Sequence, residues 1–198
     1  MRIGPRFRLP VSKICVANQA LEWSNEIKFL GVSILANSSF KCNFQIVRQK
    51  FFRALNGIFG KIGTHSSTLV TLSLINSYCV PVLTYGIESI NATRAVYNVL
   101  DNAYMQAFAK LFGSFDKSVL KNCQFYCDSA PLCDVIDLRR LKFLHGLKSR
   151  YALSIRLLFE VCGIVEFNDL LNKHHLTANP INCWKLSMWN SFRESLVQ

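Results

Sequence analysis

Acid is what this sequence has least of. It carries 12 Asp and Glu against 23 Lys and Arg, for a formal net charge of +11 over 198 residues. Glycine and proline are sparse, at 9 and 5, and the chain shows neither an internal repeat nor a low-complexity segment. Half of its residues are hydrophobic and 12% are aromatic, a balance that excludes a disordered chain and allows one or two units with a real core. No Walker loop, dinucleotide fingerprint or Ser-His-Asp order is present, which sets aside the commonest nucleotide-binding and hydrolase chemistries. The N-terminus has Arg2, Arg6 and Arg8 but no apolar core of leader length. An intracellular setting, nucleus or cytoplasm, is therefore expected, with the eight cysteines reduced and acting mostly as small hydrophobes. In that setting the sequons at Asn37-Ser38-Ser39 and Asn91-Ala92-Thr93 carry no weight.

The positive charge gathers at the two ends. Met1 to Lys61 holds +8, Ile62 to Leu138 holds −2, and Arg139 to Gln198 holds +5. Two basic ends around an apolar middle point to a polyanionic partner, nucleic acid ahead of an anionic membrane. Ser66 to Ile87 contains no charged residue and is long enough to cross a bilayer. It divides at Pro81 into two shorter elements, so buried core helices are the default reading and a membrane span the lesser one.

Periodicity predicts a mainly α chain with a small antiparallel β-hairpin at the N-terminus. Lys13 to Trp23 reads as two short strands turning at Asn18-Gln19. Ile27 to Leu35 reads as a further strand, with Gly31 marking a bulge or a close backbone approach. Phe40, Phe44, Val47, Phe51, Leu55, Ile58 and Ile62 recur at steps of three and four, one face of a helix capped by Ser39 and stopped by Gly63. Lys50, Arg53 and Lys61 project from its other side, with Lys41 and Arg48 flanking the stripe. Further helices are expected over Ser67 to Val80 (halted at Pro81), Thr93 to Phe112 (capped by Asn91 or Thr93) and Lys117 to Cys127. Beyond these, Pro131 to Phe159 reads as one helix or two broken near Gly146, followed by Ile164 to Lys173. Asn179-Pro180 makes a break before a last helix, Cys183 to Leu196. Arg139 to Arg156 holds six basic residues and no acid.

Five stretches, in this order, resemble the reverse transcriptase of non-LTR (LINE-type) retrotransposons: Arg2–Arg6, Glu22–Ile34, Phe40–Phe44, Phe51–Gly63 and Ser77–Glu88. The resemblance runs from Arg2 to about Leu144. It implies that 1–38 is a palm remnant with a primer-grip-like hairpin, 39–115 a thumb-like helical bundle and 116–198 a C-terminal helical extension. It puts Phe29, Leu30 and Gly31 at the grip on a primer end, where a glycine lets backbone amides approach a phosphate. It makes Lys50, Arg53 and Lys61 the candidates for phosphate contacts along an RNA–DNA or DNA duplex held without sequence preference.

The same resemblance places Met1 at an internal position of a longer parent, past the fingers and the catalytic palm. The family's polymerases hold two Mg²⁺ ions on aspartates that include an adjacent Asp-Asp pair. No such pair occurs here, so this chain is expected to hold no cofactor, to take no small-molecule substrate and to be inactive alone. A separate palm and fingers polypeptide becomes an expected partner. The alternatives are a helical structural or interaction protein with a solvated basic surface, and a membrane-associated protein using 66–87.

Other chemistry is weaker. Cys123, Cys127 and Cys133, with His145, His174 or His175, do not match common zinc spacings, so helix packing is the expected role. Asp137 stands three residues before Arg140, the spacing of an exposed ion pair. Trp23, Trp184 and Trp189 read as buried anchors ahead of base-stacking platforms. Without the palm, the apolar faces of Val11 to Ile34 are expected to lie open, with poor solubility as the result.

Overall fold

The computed structural model describes residues 1–63, 66–90, 92–178 and 181–196, and it is mainly helical with two small antiparallel sheets near the N-terminus. By compactness the chain separates into two units, Met1–Lys50 and Phe51–Gln198. Asn91, one of the expected caps, and the expected break at Asn179-Pro180 lie outside the described residues.

The first unit is built from hairpins. Strands β1 (Ile14–Val16) and β2 (Gln19–Leu21) pair antiparallel, Val16 opposite Gln19. The turn is Ala17-Asn18, one residue earlier than Asn18-Gln19. Both turn residues have positive φ, 49° and 62°, and two left-handed residues give the primed turn whose twist suits flanking strands. The second sheet contains β3 (Glu26–Phe29), β4 (Val32–Leu35) and β5 (Lys41–Cys42), in that order. The run from Ile27 to Leu35 is thus a hairpin folded on Leu30-Gly31, not one bulged strand. Ile14, Val16, Leu21, Trp23, Ile27 and Phe29 are all exposed, whereas Val32 and Ile34 are half-buried, so the apolar side chains of β1, β2 and β3 lie open and those of β4 only in part.

Helix α1 spans Gln45–Ile62, later than the apolar pattern suggested. Lys41-Cys42 is spent on pairing with β4, and Asn43, not Ser39, caps the helix by accepting from the Gln45 amide at 3.0 Å. Gly63 closes α1 at φ 71°, a left-handed position that glycine takes without the steric cost of a Cβ.

In the second unit, α2 (Thr68–Leu74) runs through a π-turn (Ile75–Cys79) into α3 (Val80–Thr84). Pro81 therefore does not halt the helix. Its ring would crowd the carbonyl four residues back in a regular helix, and the widened turn, in which the Val80 amide reaches Ile75 O, relieves that conflict. The stretch Thr68–Ser89 is long and apolar enough to cross a bilayer, as a core helix of a soluble protein also can be, and it is partly buried. It is tied inward by Arg139, whose guanidinium donates to Thr84 O at 3.2 Å.

Helix α4 (Arg94–Phe112) begins after Thr93, whose side chain makes no capping bond, and ends on Gly113. It buries Leu100, Ala103, Tyr104, Ala107 and Phe108, a stripe at the helical period. Helix α5 (Lys117–Tyr126) is capped by Asp116, which accepts from the Ser118 amide at 2.8 Å. Helix α6 (Leu132–Lys148) passes straight through Gly146, and the break comes only at Ser149. Helix α7 (Leu153–Leu158) continues through a second π-turn (Phe159–Gly163) into α8 (Ile164–Lys173), and α9 (Trp184–Glu194) closes the chain. α6 is central: α4, α7, α8 and α9 all pack on it.

Candidate nucleic-acid interface

The hairpin tip gathers Phe29, Leu30 and Gly31. Glu26 stands opposite Leu35 and Phe29 opposite Val32, so the ladder closes on the two turn residues. Leu30 has φ 45° and Gly31 φ 83°, again a primed turn. Glycine takes its place without strain, while leucine in the left-handed region costs about 1–2 kcal/mol. Phe29 and Leu30 are 61% and 75% exposed, so the tip presents two consecutive apolar side chains to solvent. Leu30→Asn would give the Asn-Gly pair this turn favours. It should stabilise the hairpin by about 1 kcal/mol, read as slower amide exchange across β3 and β4.

Lys50, Arg53 and Lys61 are exposed on α1, which contains no acidic residue along its length. At 3.6 residues per turn they fall within roughly 80° of one another around the axis, and Lys50 and Lys61 stand about 16 Å apart along it. Arg48, half-buried, points elsewhere on the same helix. Among the described residues no carboxylate pairs with Lys50, Arg53 or Lys61. Lys50 belongs to the first unit, and Arg53 and Lys61 to the second.

The expected exposed pair between Asp137 and Arg140 does not form. Both residues are buried, at 1% and 7% exposure, and each has other partners. Asp137 Oδ2 accepts from Lys173 Nζ at 2.5 Å and meets His174 Nε2 at 2.8 Å. Arg140 Nε donates to Glu166 Oε1 at 2.6 Å, and its Nη1 donates to Glu88 O. Burial would by itself raise the Asp137 carboxyl, but the hydrogen bonds and charges of His174 and Lys173 together hold it below the usual range. Tyr97 borders the cluster, its phenol pushed well up by burial and then by the Asp137 charge and hydrogen bond. The nearby Cys133 thiol is raised to about 12, chiefly by burial.

A pattern of charges on an apolar stripe was the signal for this cluster. In α6 the buried positions are Leu132, Ile136, Asp137, Arg140, Leu141 and Leu144, so the two charges lie on the inward stripe itself. A charge there must be neutralised from another element, and α8 supplies the partners. The cluster is internally satisfied and acts as a structural clamp between α6 and α8.

Packing accounts for only some of the cysteines and tryptophans: Cys79 is buried and Cys42, Cys123, Cys127 and Cys133 are half-buried, but Cys15, Cys162 and Cys183 are exposed, and of the three expected tryptophan anchors only Trp184 is fully buried. All eight cysteines are free, and no group of three or more His, Cys, Asp or Glu converges as a metal site among the described residues. His174 is committed to Asp137. Trp184 is buried, Trp189 stacks on Phe125 at 5.7 Å and 10°, and Trp23 is 40% exposed, with the Arg2 guanidinium 5.9 Å from its ring centre. Compared with protein-family models, curated proteins and solved structures, the chain matches none of them.

Proposed function

We propose that this chain holds the phosphate backbone of an RNA–DNA or DNA duplex without reading sequence, as the primer-grip and thumb portion of a reverse transcriptase of the non-LTR retrotransposon type. Glu26–Leu35 is an antiparallel hairpin with Phe29, Leu30 and Gly31 at an exposed tip, at the position where the resemblance asks for a primer grip. That observation carries the reading. The acid-free cationic side of α1 supports it, because backbone tracking needs exposed Lys and Arg and no opposing carboxylate. No polymerisation step is assigned to the chain, since its sequence holds no adjacent Asp pair to take two metal ions. A palm and fingers polypeptide is the partner that would supply one.

A duplex-binding titration across salt tests this reading. Each phosphate neutralised contributes about 0.9 to the slope of log affinity against log salt. The Lys50→Glu, Arg53→Glu, Lys61→Glu triple variant should therefore flatten the slope by about 2.7 and weaken binding at low salt at least tenfold. A wild-type affinity indifferent to salt, or a triple variant with an unaltered slope, would leave the chain a helical structural protein with a solvated basic surface.

A further inference from the structure

The run of cations from Arg139 to Arg156 is not one surface. Arg140 is buried against Glu166, and Arg139, though exposed, is engaged by Thr84 O. Lys142, Lys148, Arg150 and Arg156 remain exposed. Three of these, Lys148, Arg150 and Arg156, line one open cavity of about 420 Å³ where α6 ends and α7 begins. Ser149 and the single carboxylate Glu160 share its wall, which leaves an excess of two positive charges. Among the described residues none of the three cations pairs with a carboxylate. Tyr151 stands at the same place and is 104% exposed, as open as in an extended peptide. A tyrosine with nothing packed on its ring, set among cations, is the arrangement that stacks a base while neighbouring charges hold its phosphates.

We infer that this cavity binds single-stranded nucleic acid, with phosphodiesters on Lys148, Arg150 and Arg156 and a base stacked on Tyr151. A paired duplex cannot use such a site, because its bases are already stacked on one another, so it would engage an overhang or an unpaired strand. The volume lies within the ~300–1,000 Å³ of ordinary ligand cavities, enough for a nucleotide unit. The inference rests on the same nucleic-acid reading as the duplex contacts but uses different residues, so the two can fail separately. A competing occupant exists. Leu153, Leu157, Leu158, Val161 and Val165 are exposed along α7 and α8, and an apolar face rimmed by cations also suits an anionic lipid surface. The fully exposed ring and the cations converging on a nucleotide-sized cavity favour the strand.

The test uses the full chain, a fluorescently labelled unstructured RNA strand and a blunt DNA duplex, each titrated by anisotropy at several salt concentrations. Arg150→Glu with Arg156→Glu should flatten the single-strand salt slope by about 1.4, at roughly 0.7 per phosphate. Tyr151→Ala should weaken single-strand binding about fivefold or more, while Tyr151→Phe keeps it because the ring remains. Neither change should move duplex binding, and the α1 triple variant should show the reverse pattern. Unchanged melting of each variant confirms that exposed side chains alone were altered. Equal losses on strand and duplex, or no loss in Tyr151→Ala, overturn the proposal. So does the absence of strand binding combined with flotation on phosphatidylserine vesicles that Leu157→Ser and Val161→Ser abolish; that outcome assigns the cavity to a lipid headgroup.

Discussion

Replacing Asp137 with alanine should destabilise the helical unit by about 3 kcal/mol, and Lys173→Ala by no more than about 1. The two residues share one ion pair, yet their exposures differ: 1% for the Asp137 side chain and 54% for Lys173. Without Asp137, Lys173 swings its ammonium into water at little cost. His174 cannot, because its side chain is 9% exposed, and Tyr97 loses a hydrogen-bonded neighbour at the same time. Buried donors left unmatched account for most of the expected loss. At this chain length about 3 kcal/mol corresponds to a fall of roughly 6–12 °C in Tm.

The same pair of variants gives a pH signature. The Asp137 carboxyl sits lower in the folded chain than in the unfolded one, so its stabilisation is fully present above the unfolded carboxylate range, near pH 4. It is lost as pH falls through the lower folded value. The gap in Tm between wild type and Asp137→Ala should therefore be widest at neutral pH and close in acid. Asp101 and Asp134 act in the opposite sense, because burial raises both above the usual carboxylate range. Their contribution is present in acid and lost as pH rises through their folded values, which blunts the acid response of the whole chain. Only the difference between wild type and variant isolates Asp137. A gap that stays constant from neutral pH into acid would remove the ionic clamp from the account.

Much of the helical architecture was legible because it rests on period and punctuation. The stripe Leu100, Tyr104, Ala107 places α4, and Ile164–Lys173 is the extent of α8. What escaped was set by tertiary context. The start of α1 was hidden because Lys41-Cys42, amphipathic in a helical register, is taken up by a strand pairing with β4. Pro81 misled because a local rule about proline says nothing of the π-turn Ile75–Cys79 just before it, which removes the clash. Leu30-Gly31 was hidden for a related reason: leucine is a poor left-handed residue, so the sequence carries only half of a turn signature. At the sites, exposure of Lys50, Arg53 and Lys61 followed from the helical period, whereas the partners of Asp137 lie 36 and 37 positions along the chain. No spacing rule reaches that far. The usable clue was two charges standing on an apolar stripe.

Trp184→Ala should cost about 3–5 kcal/mol, the largest effect of any single truncation considered. Trp184 is 1% exposed and belongs to a cluster with Leu141 and Leu144 of α6 and with Phe159, Phe167 and Leu171 of the α7–α8 segment. Its ring meets Phe167 at 6.2 Å and 60° and His145 at 5.9 Å and 79°, both edge-on geometries that favour aromatic contact. Its Nε1 donates to Thr177 O at 2.8 Å, which ties the start of α9 to the turn after α8. Trp184→Phe keeps most of the ring and drops the N–H bond, so it should cost about 1–3 kcal/mol, and the gap between the two variants measures the cavity. Amide exchange should accelerate first in α9 and α8 and only later in α4, because the cluster holds those elements and not α4. Asp137 clamps the C-terminal end of α8 to α6, two residues beyond Leu171 of the cluster. Once either anchor is gone, α8 is already loosened, and the second substitution has less left to undo. The double variant should therefore be less destabilised than the sum of the singles, by about 0.5–3 kcal/mol. Strict additivity would mean that the ionic clamp and the aromatic cluster hold α8 independently.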